Sequence, residues 1–122
     1  MKNVLIVEDN IDLQNIYKIA FGAANIPVVI KSNGLEAIAE ITEIDPAIIL
    51  LDLLMPDLDG FKFMEDFEKL PEEKLKMYLP CFLTSSINEG DISYAKNFKT
   101  IKQYINKPLS QKLIQNLIST LE

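Results

Sequence analysis

The chain has 122 residues, enough for one domain with a single core, and its 48% hydrophobic and 25% charged residues are the composition of a folded globular protein. It contains no His and one Cys, which excludes within it a Ser-His-Asp triad, a His-ligated zinc, an internal phosphohistidine and an intrachain disulfide. Twelve Lys+Arg against eighteen Asp+Glu leave a net charge of −6, which argues against direct binding to a nucleic-acid backbone. The first apolar run, residues 4–7, is far shorter than a signal-peptide core or a membrane span, so a cytoplasmic location without membrane insertion is expected.

In chain order, Val4-Leu5-Ile6-Val7 predicts a first strand buried on both faces. Asp12 is a candidate N-cap for a helix whose inward face is Leu13, Ile16, Tyr17, Ala20 and Phe21, ending between Gly22 and Asn25. Val28-Val29-Ile30 predicts the second strand. Residues 34–44 predict a second helix with Leu35, Ile38, Ala39 and Ile41 as its apolar stripe, broken by Asp45-Pro46. Residues 47–51 form the third apolar run, and residues 61–70 a third helix carrying Phe61, Met64, Phe67 and Leu70, closed by Pro71. Residues 70–79 read as a loop or helix extension, and Cys81-Phe82-Leu83 as a fourth strand with an inert core thiol. Ile92, Ala95 and Phe98 suggest a short helix across residues 88–99. A fifth strand over 101–105 and a closing helix over 109–121, faced by Leu109, Leu113, Ile114, Leu117 and Leu121, complete the chain. Strictly alternating strands and helices imply an α/β fold, a five-stranded parallel sheet with helices on both faces.

In such a sheet the ligand site lies beyond the carboxyl ends of the strands. Strand one is followed there by Glu8-Asp9, strand three by Asp52, strand four by Thr84-Ser85-Ser86 and strand five by Lys107-Pro108. Three carboxylates, a hydroxyl and an ammonium would gather at one edge. Clustered carboxylates need a counter-charge, which Lys107 supplies in part. An all-oxygen site without His or a Cys cluster suits Mg²⁺, with Mn²⁺ as its substitute, better than Zn²⁺. A metal, a lysine and a hydroxyl around one carboxylate are an apparatus for phosphoryl transfer, with Asp52 as nucleophile. Asp57-Leu58-Asp59-Gly60 imitates part of a calcium loop, but Met55 stands where the leading carboxylate belongs, so an EF-hand is rejected.

The set Glu8-Asp9, Asp52, Met55-Pro56, Gly60, Thr84, Tyr104 and Lys107-Pro108, in that order, closely resembles the receiver domain of response regulators in bacterial two-component systems, in its single-domain, chemotaxis-regulator-like form. The resemblance implies a flavodoxin-like doubly wound (βα)5 fold over residues 1–122. It implies that Asp52 accepts a phosphoryl group from the phosphohistidine of a sensor histidine kinase or a histidine phosphotransfer protein. Glu8, Asp9, Asp52 and the backbone carbonyl of Leu54 would hold Mg²⁺, with Glu8 standing where many members carry Asp. Lys107 would pair with the phosphoryl oxygens, Pro108 would set the following turn, and Thr84 and Tyr104 would form the switch pair. The face made by the fourth helix (88–99), the fifth strand and the fifth helix (109–121) would signal to a downstream protein target. Such a domain catalyses only its own phosphorylation and dephosphorylation, and a length of 122 residues suggests a receiver without an attached output domain.

Thr100-Ile101 stands where many members have Gly-Ala, and the stretch 89–100 also departs from the usual Ala-rich pattern, so the output face is the least transferable feature. A constitutive scaffold of the same fold is the alternative reading, against which the intact set of Glu8, Asp9, Asp52, Thr84 and Lys107 argues. A phosphohydrolase would need an acid at position 54, where Leu54 stands. Leu54 and Ser86, which flank the phosphoryl site in the family's geometry, offer no acid or amide to orient an attacking water. The expected outcome is slow loss of an Asp52 phosphoryl group, followed by phosphate release from the purified phosphoprotein; a half-life of only seconds contradicts it.

Overall fold

The computed structural model describes residues 3–44, 46–52, 59–84, 98–101, 103–106 and 111–121. Its strands are β1 (Val4–Val7), β2 (Val28–Lys31), β3 (Ile48–Asp52), β4 (Leu79–Thr84) and β5 (Gln103–Asn106), the first four built on apolar runs. The strands pair in parallel in the order β2-β1-β3-β4-β5, the doubly wound arrangement expected from the alternation. The connections carry α1 (Ile11–Ala23), α2 (Gly34–Ile44), α3 (Asp59–Phe67), the single turn α4 (Glu72–Leu75) and, at the end of the chain, α5 (Gln111–Leu121). No helix among the described residues is long and apolar enough to cross a membrane.

Strand residues alternate between two cores, as a pleat of period two requires. Val4, Ile6, Ile48, Leu50, Cys81 and Leu83 pack with Tyr17 and Phe21 of α1 and Ile114 and Leu117 of α5. Leu5, Val7, Ile49, Leu51 and Phe82 face the other way, onto Ala37 and Ile41 of α2 and Phe63, Met64 and Phe67 of α3. Each large side chain fully buried there contributes about 1.5–3 kcal/mol. Burial also pushes the Cys81 thiol up to about 12, so it stays protonated and inert as expected.

Several elements differ in detail from the sequence expectation. β2 is only half-buried, because it is an edge strand and lacks a neighbour on one side. The N-cap of α1 is Asn10 rather than Asp12: its side-chain oxygen accepts from the Leu13 N–H at 3.0 Å, while Asp12 lies in the first turn near the positive end of the helix dipole. The inward face of α1 is Tyr17 and Phe21, with Leu13 and Ala20 half-buried and Ile16 53% exposed. On α2 the buried positions are Gly34, Ala37 and Ile41, whereas Leu35 is 64% exposed and Ala39 is exposed. In both helices the apolar residues outnumber those the sheet can cover. α1 closes at Asn25, whose φ of 60° is left-handed and whose N–H donates to the Gly22 carbonyl at 3.0 Å.

The element ends shift by one to three residues: α3 spans 59–67 rather than 61–70, β4 starts at Leu79, β5 is 103–106, and the last helix starts at Gln111. Of the helix suggested over 88–99, residues 88–97 lie outside the described residues, as do Ser85, Ser86, Leu109 and most of the rejected calcium-like loop. Phe98 is buried in the second core, and Thr100 donates from its N–H at 2.9 Å and its hydroxyl at 2.6 Å to Glu68 Oε2. Thr100 thus ties the segment entering β5 to the residue just past α3. Replacing Asn10 by Ala removes one helix cap and is expected to lower stability by about 1 kcal/mol, read as a lower midpoint in urea unfolding.

Candidate functional site

Parallel, in-register pairing builds the site. Val7 is opposite Leu51, so Glu8 and Asp52 stand on the next rung of neighbouring strands, which lie about 4.8 Å apart. The pleat puts Glu8 on the same face as Val4 and Ile6, and Asp52 on the face of Ile48 and Leu50, which is the α1 side for both. This is also where the chain order of the sheet reverses: from β1 the chain turns to β2 on one side, and from β3 to β4 on the other. The crevice of a doubly wound sheet opens at that switch point.

Glu8 is 1% and Asp52 5% exposed, while Asp9 lies exposed at the rim. One carboxylate oxygen from each of the three lies within 4.8 Å of the others. At an effective dielectric of about 20, each such pair of charges repels by about 3.5 kcal/mol or more. The group therefore favours a cation, and three carboxylate donors with one open side match the oxygen-rich, partly hydrated coordination of Mg²⁺.

The acidic turn is held from several directions. The Glu8 N–H donates to the Lys31 carbonyl at 3.0 Å, extending the β1–β2 ladder by one rung. The Asn10 N–H donates to Glu8 Oε2 at 3.3 Å, and the Gln14 side-chain amide donates to the Glu8 carbonyl at 2.5 Å and to Ser32 Oγ at 3.3 Å. Lys31, at the end of β2, is ion-paired with Glu40 on α2, and that hydrogen bond raises its pKa above the usual lysine value. Its ammonium is thus committed to α2.

Of the residues singled out in the sequence, the structure brings together Glu8, Asp9 and Asp52. Thr84 ends β4, one residue beyond Leu83, which is opposite Asp52; Tyr104 is in β5 opposite Phe82. The side chains of Thr84 and Tyr104, and the whole of Leu54, Lys107 and Pro108, lie outside the described residues. Asn10 and Gln14 are the contacts that the sequence reading missed. Their spacing was the available signal, because an Asn directly after an acidic pair can cap a helix and the residue four further on then returns to the same turn.

The family model for the response regulator receiver domain matches residues 4–119. The chain belongs to this family. Over 127 residues it is 28% identical to the response regulator SaeR of Staphylococcus aureus (strain USA300), covering 100% of this chain and 53% of that protein; it spans about half the length of the curated relatives it matches. Its fold is similar to that of the chemotaxis protein CheY4 of Vibrio cholerae, with a TM-score of 0.84 and 20% identity over 100% of this chain and 99% of the other. A two-component response regulator from Legionella pneumophila gives a TM-score of 0.84 at 21% identity, over 99% and 98% of the two chains. The receiver domain is a signalling domain of two-component systems, and its flavodoxin-like fold is the one found here.

The electrostatics give a direct test of the acidic cluster in this receiver domain. A free Mg²⁺ concentration ten times its Kd is expected to add about 1.4 kcal/mol to the unfolding free energy relative to chelator. Asp9→Asn removes a donor at the rim without disturbing the core, and should shrink that increment at the same Mg²⁺ concentration, as read by paired urea titrations.

Proposed function

We propose that this receiver domain is a phosphorylation-dependent switch whose acceptor is Asp52. The observation that carries the proposal is the convergence of Glu8, Asp9 and Asp52 at the β1/β3 switch point, with the acceptor carboxylate at the end of its strand. A carboxylate oxygen of Asp52 attacks the phosphorus of a donor phosphohistidine; the O–P bond forms as the P–N bond breaks, and the imidazole leaves with the bonding pair. Glu8, Asp9 and Asp52, with the Leu54 carbonyl, would hold Mg²⁺, which when bound supplies positive charge to offset the acidic cluster and the phosphoryl oxygens. Lys107 would bind those oxygens from the β5 side. The buried Glu8 would line the inner side of such a cation site, and the exposed Asp9 would leave the outer side open to the donor.

The donor histidine lies outside these 122 residues, since they contain no His. A sensor histidine kinase or a histidine phosphotransfer protein is the proposed donor. Ile11, Ile16 and Ile19 of α1 are 70%, 53% and 73% exposed, beginning two residues after Asp9. Exposed isoleucines on the helix that follows the acidic pair support a donor carried on a protein, which can cover them, over a small molecule alone.

Thr84 and Tyr104 are proposed as the two-state element. The Thr84 hydroxyl would bond the new phosphoryl oxygen, and the Tyr104 ring would fill the space it leaves, altering the face that meets a downstream target. The domain would act on no substrate except its own acceptor, and in the cytoplasm.

Incubation with acetyl phosphate and Mg²⁺ should add one phosphoryl group, seen by intact mass, and Asp52→Asn should abolish it. Failure of the wild-type protein to form the adduct would favour a constitutive scaffold. Rapid turnover of phosphate esters would instead favour a hydrolase.

A further inference from the structure

Two side chains at the start of α1 reach back to the acidic turn, and they act on different atoms. Asn10 caps the helix through Leu13, and its own N–H meets the Glu8 carboxylate. Gln14 meets the Glu8 backbone. A carbonyl oxygen can only accept, so the amide nitrogen of Gln14, not its oxygen, faces it. That nitrogen carries two N–H bonds; one goes to the Glu8 carbonyl at 2.5 Å and the other to Ser32 Oγ at 3.3 Å. Ser32 directly follows β2, whose last residue, Lys31, accepts from the Glu8 N–H.

The peptide groups on both sides of the Glu8 Cα are therefore fixed, the first by the sheet and the second by Gln14. Fixing both sets the direction of the Glu8 side chain. The second peptide is also the one that leads into Asp9. Asp9 is exposed, so packing orients it less than it does Glu8, and the orientation of that peptide contributes to where its carboxylate lies.

We propose that Gln14 is a positioning residue for divalent-cation binding: through the Glu8 carbonyl it holds Glu8 and Asp9 in the geometry that meets Asp52. The inference rests on the metal-assisted reading of the site above, and it concerns the cation rather than the phosphoryl group. Partners that orient metal ligands without touching the metal are typically worth 10–100-fold in affinity.

The test is Mg²⁺ titration by calorimetry on the intact chain, with urea unfolding in chelator as the folding control. Gln14→Met keeps the length of the side chain and removes both donors. Its Mg²⁺ affinity is expected to fall about tenfold while its metal-free urea midpoint stays near that of the wild type. Wild-type binding together with equal binding by Gln14→Met overturns the inference and leaves the reading of the site intact; no Mg²⁺ binding by the wild type overturns both. Should Gln14→Met not fold, Gln14→Glu decides. An added carboxylate alone would tighten cation binding, whereas an acceptor facing the Glu8 carbonyl must swing away and release the turn. Weaker binding by Gln14→Glu therefore supports the positioning role, and equal or tighter binding overturns it.

Discussion

Two carboxylates on one rung of a parallel sheet, both nearly sealed from water, are the constraint around which this molecule is arranged. Glu8 and Asp52 are 1% and 5% exposed, and their oxygens lie within 4.8 Å of each other and of Asp9. A protein selected for stability alone would not place them so, because like charges in a partly desolvated pocket raise the free energy of the folded state. The arrangement is sustained by core packing on the two faces of the sheet and by hydrogen bonds from the turn and from α1 to Glu8. Close approach of carboxylates is what one expects where a cation completes the structure.

The same sheet that tolerates the cluster also creates it. β1 and β3 are pinned in register by alternating rows, Val4, Ile6, Ile48 and Leu50 toward one core and Leu5, Val7, Ile49 and Leu51 toward the other. A slip of one residue would exchange the faces and carry Asp52 away from Glu8. The site thus inherits its precision from hydrophobic packing several residues away. The energetic weight lies in the core, and the acidic rung is placed as a consequence.

This explains why so much was legible in the sequence. The inner strands β1 and β3 are continuous apolar runs because both faces are covered, and the polar residue ending each run marks the edge of the sheet; Glu8 and Asp52 could be found by that logic alone. The faces of the helices were less legible. Ile16 and Leu35 fit a helical stripe but are exposed, because periodicity identifies an apolar arc without saying which part of it the sheet covers. The supports of the site were hidden for a different reason. Asn10 and Gln14 are ordinary polar residues, and their contacts with Glu8 exist only once the turn after β1 folds back on α1.

The unequal exposure of the three carboxylates also bears on how such a site can work. Were all three as buried as Glu8, they could enclose a cation, but no open side would remain and the metal would need to lose nearly all its water. Mg²⁺ gives up water reluctantly and is usually held by one or two carboxylates with several positions left over. Glu8 and Asp52 are buried and would supply the fixed wall of such a site, while Asp9 at the rim is open to water. Ile11, 70% exposed, stands two residues after Asp9, so a protein docked over the start of α1 would border the open edge of the acidic cluster. A partner docked there would displace water from that edge, and a cation held by the three carboxylates would then act in a lower effective dielectric.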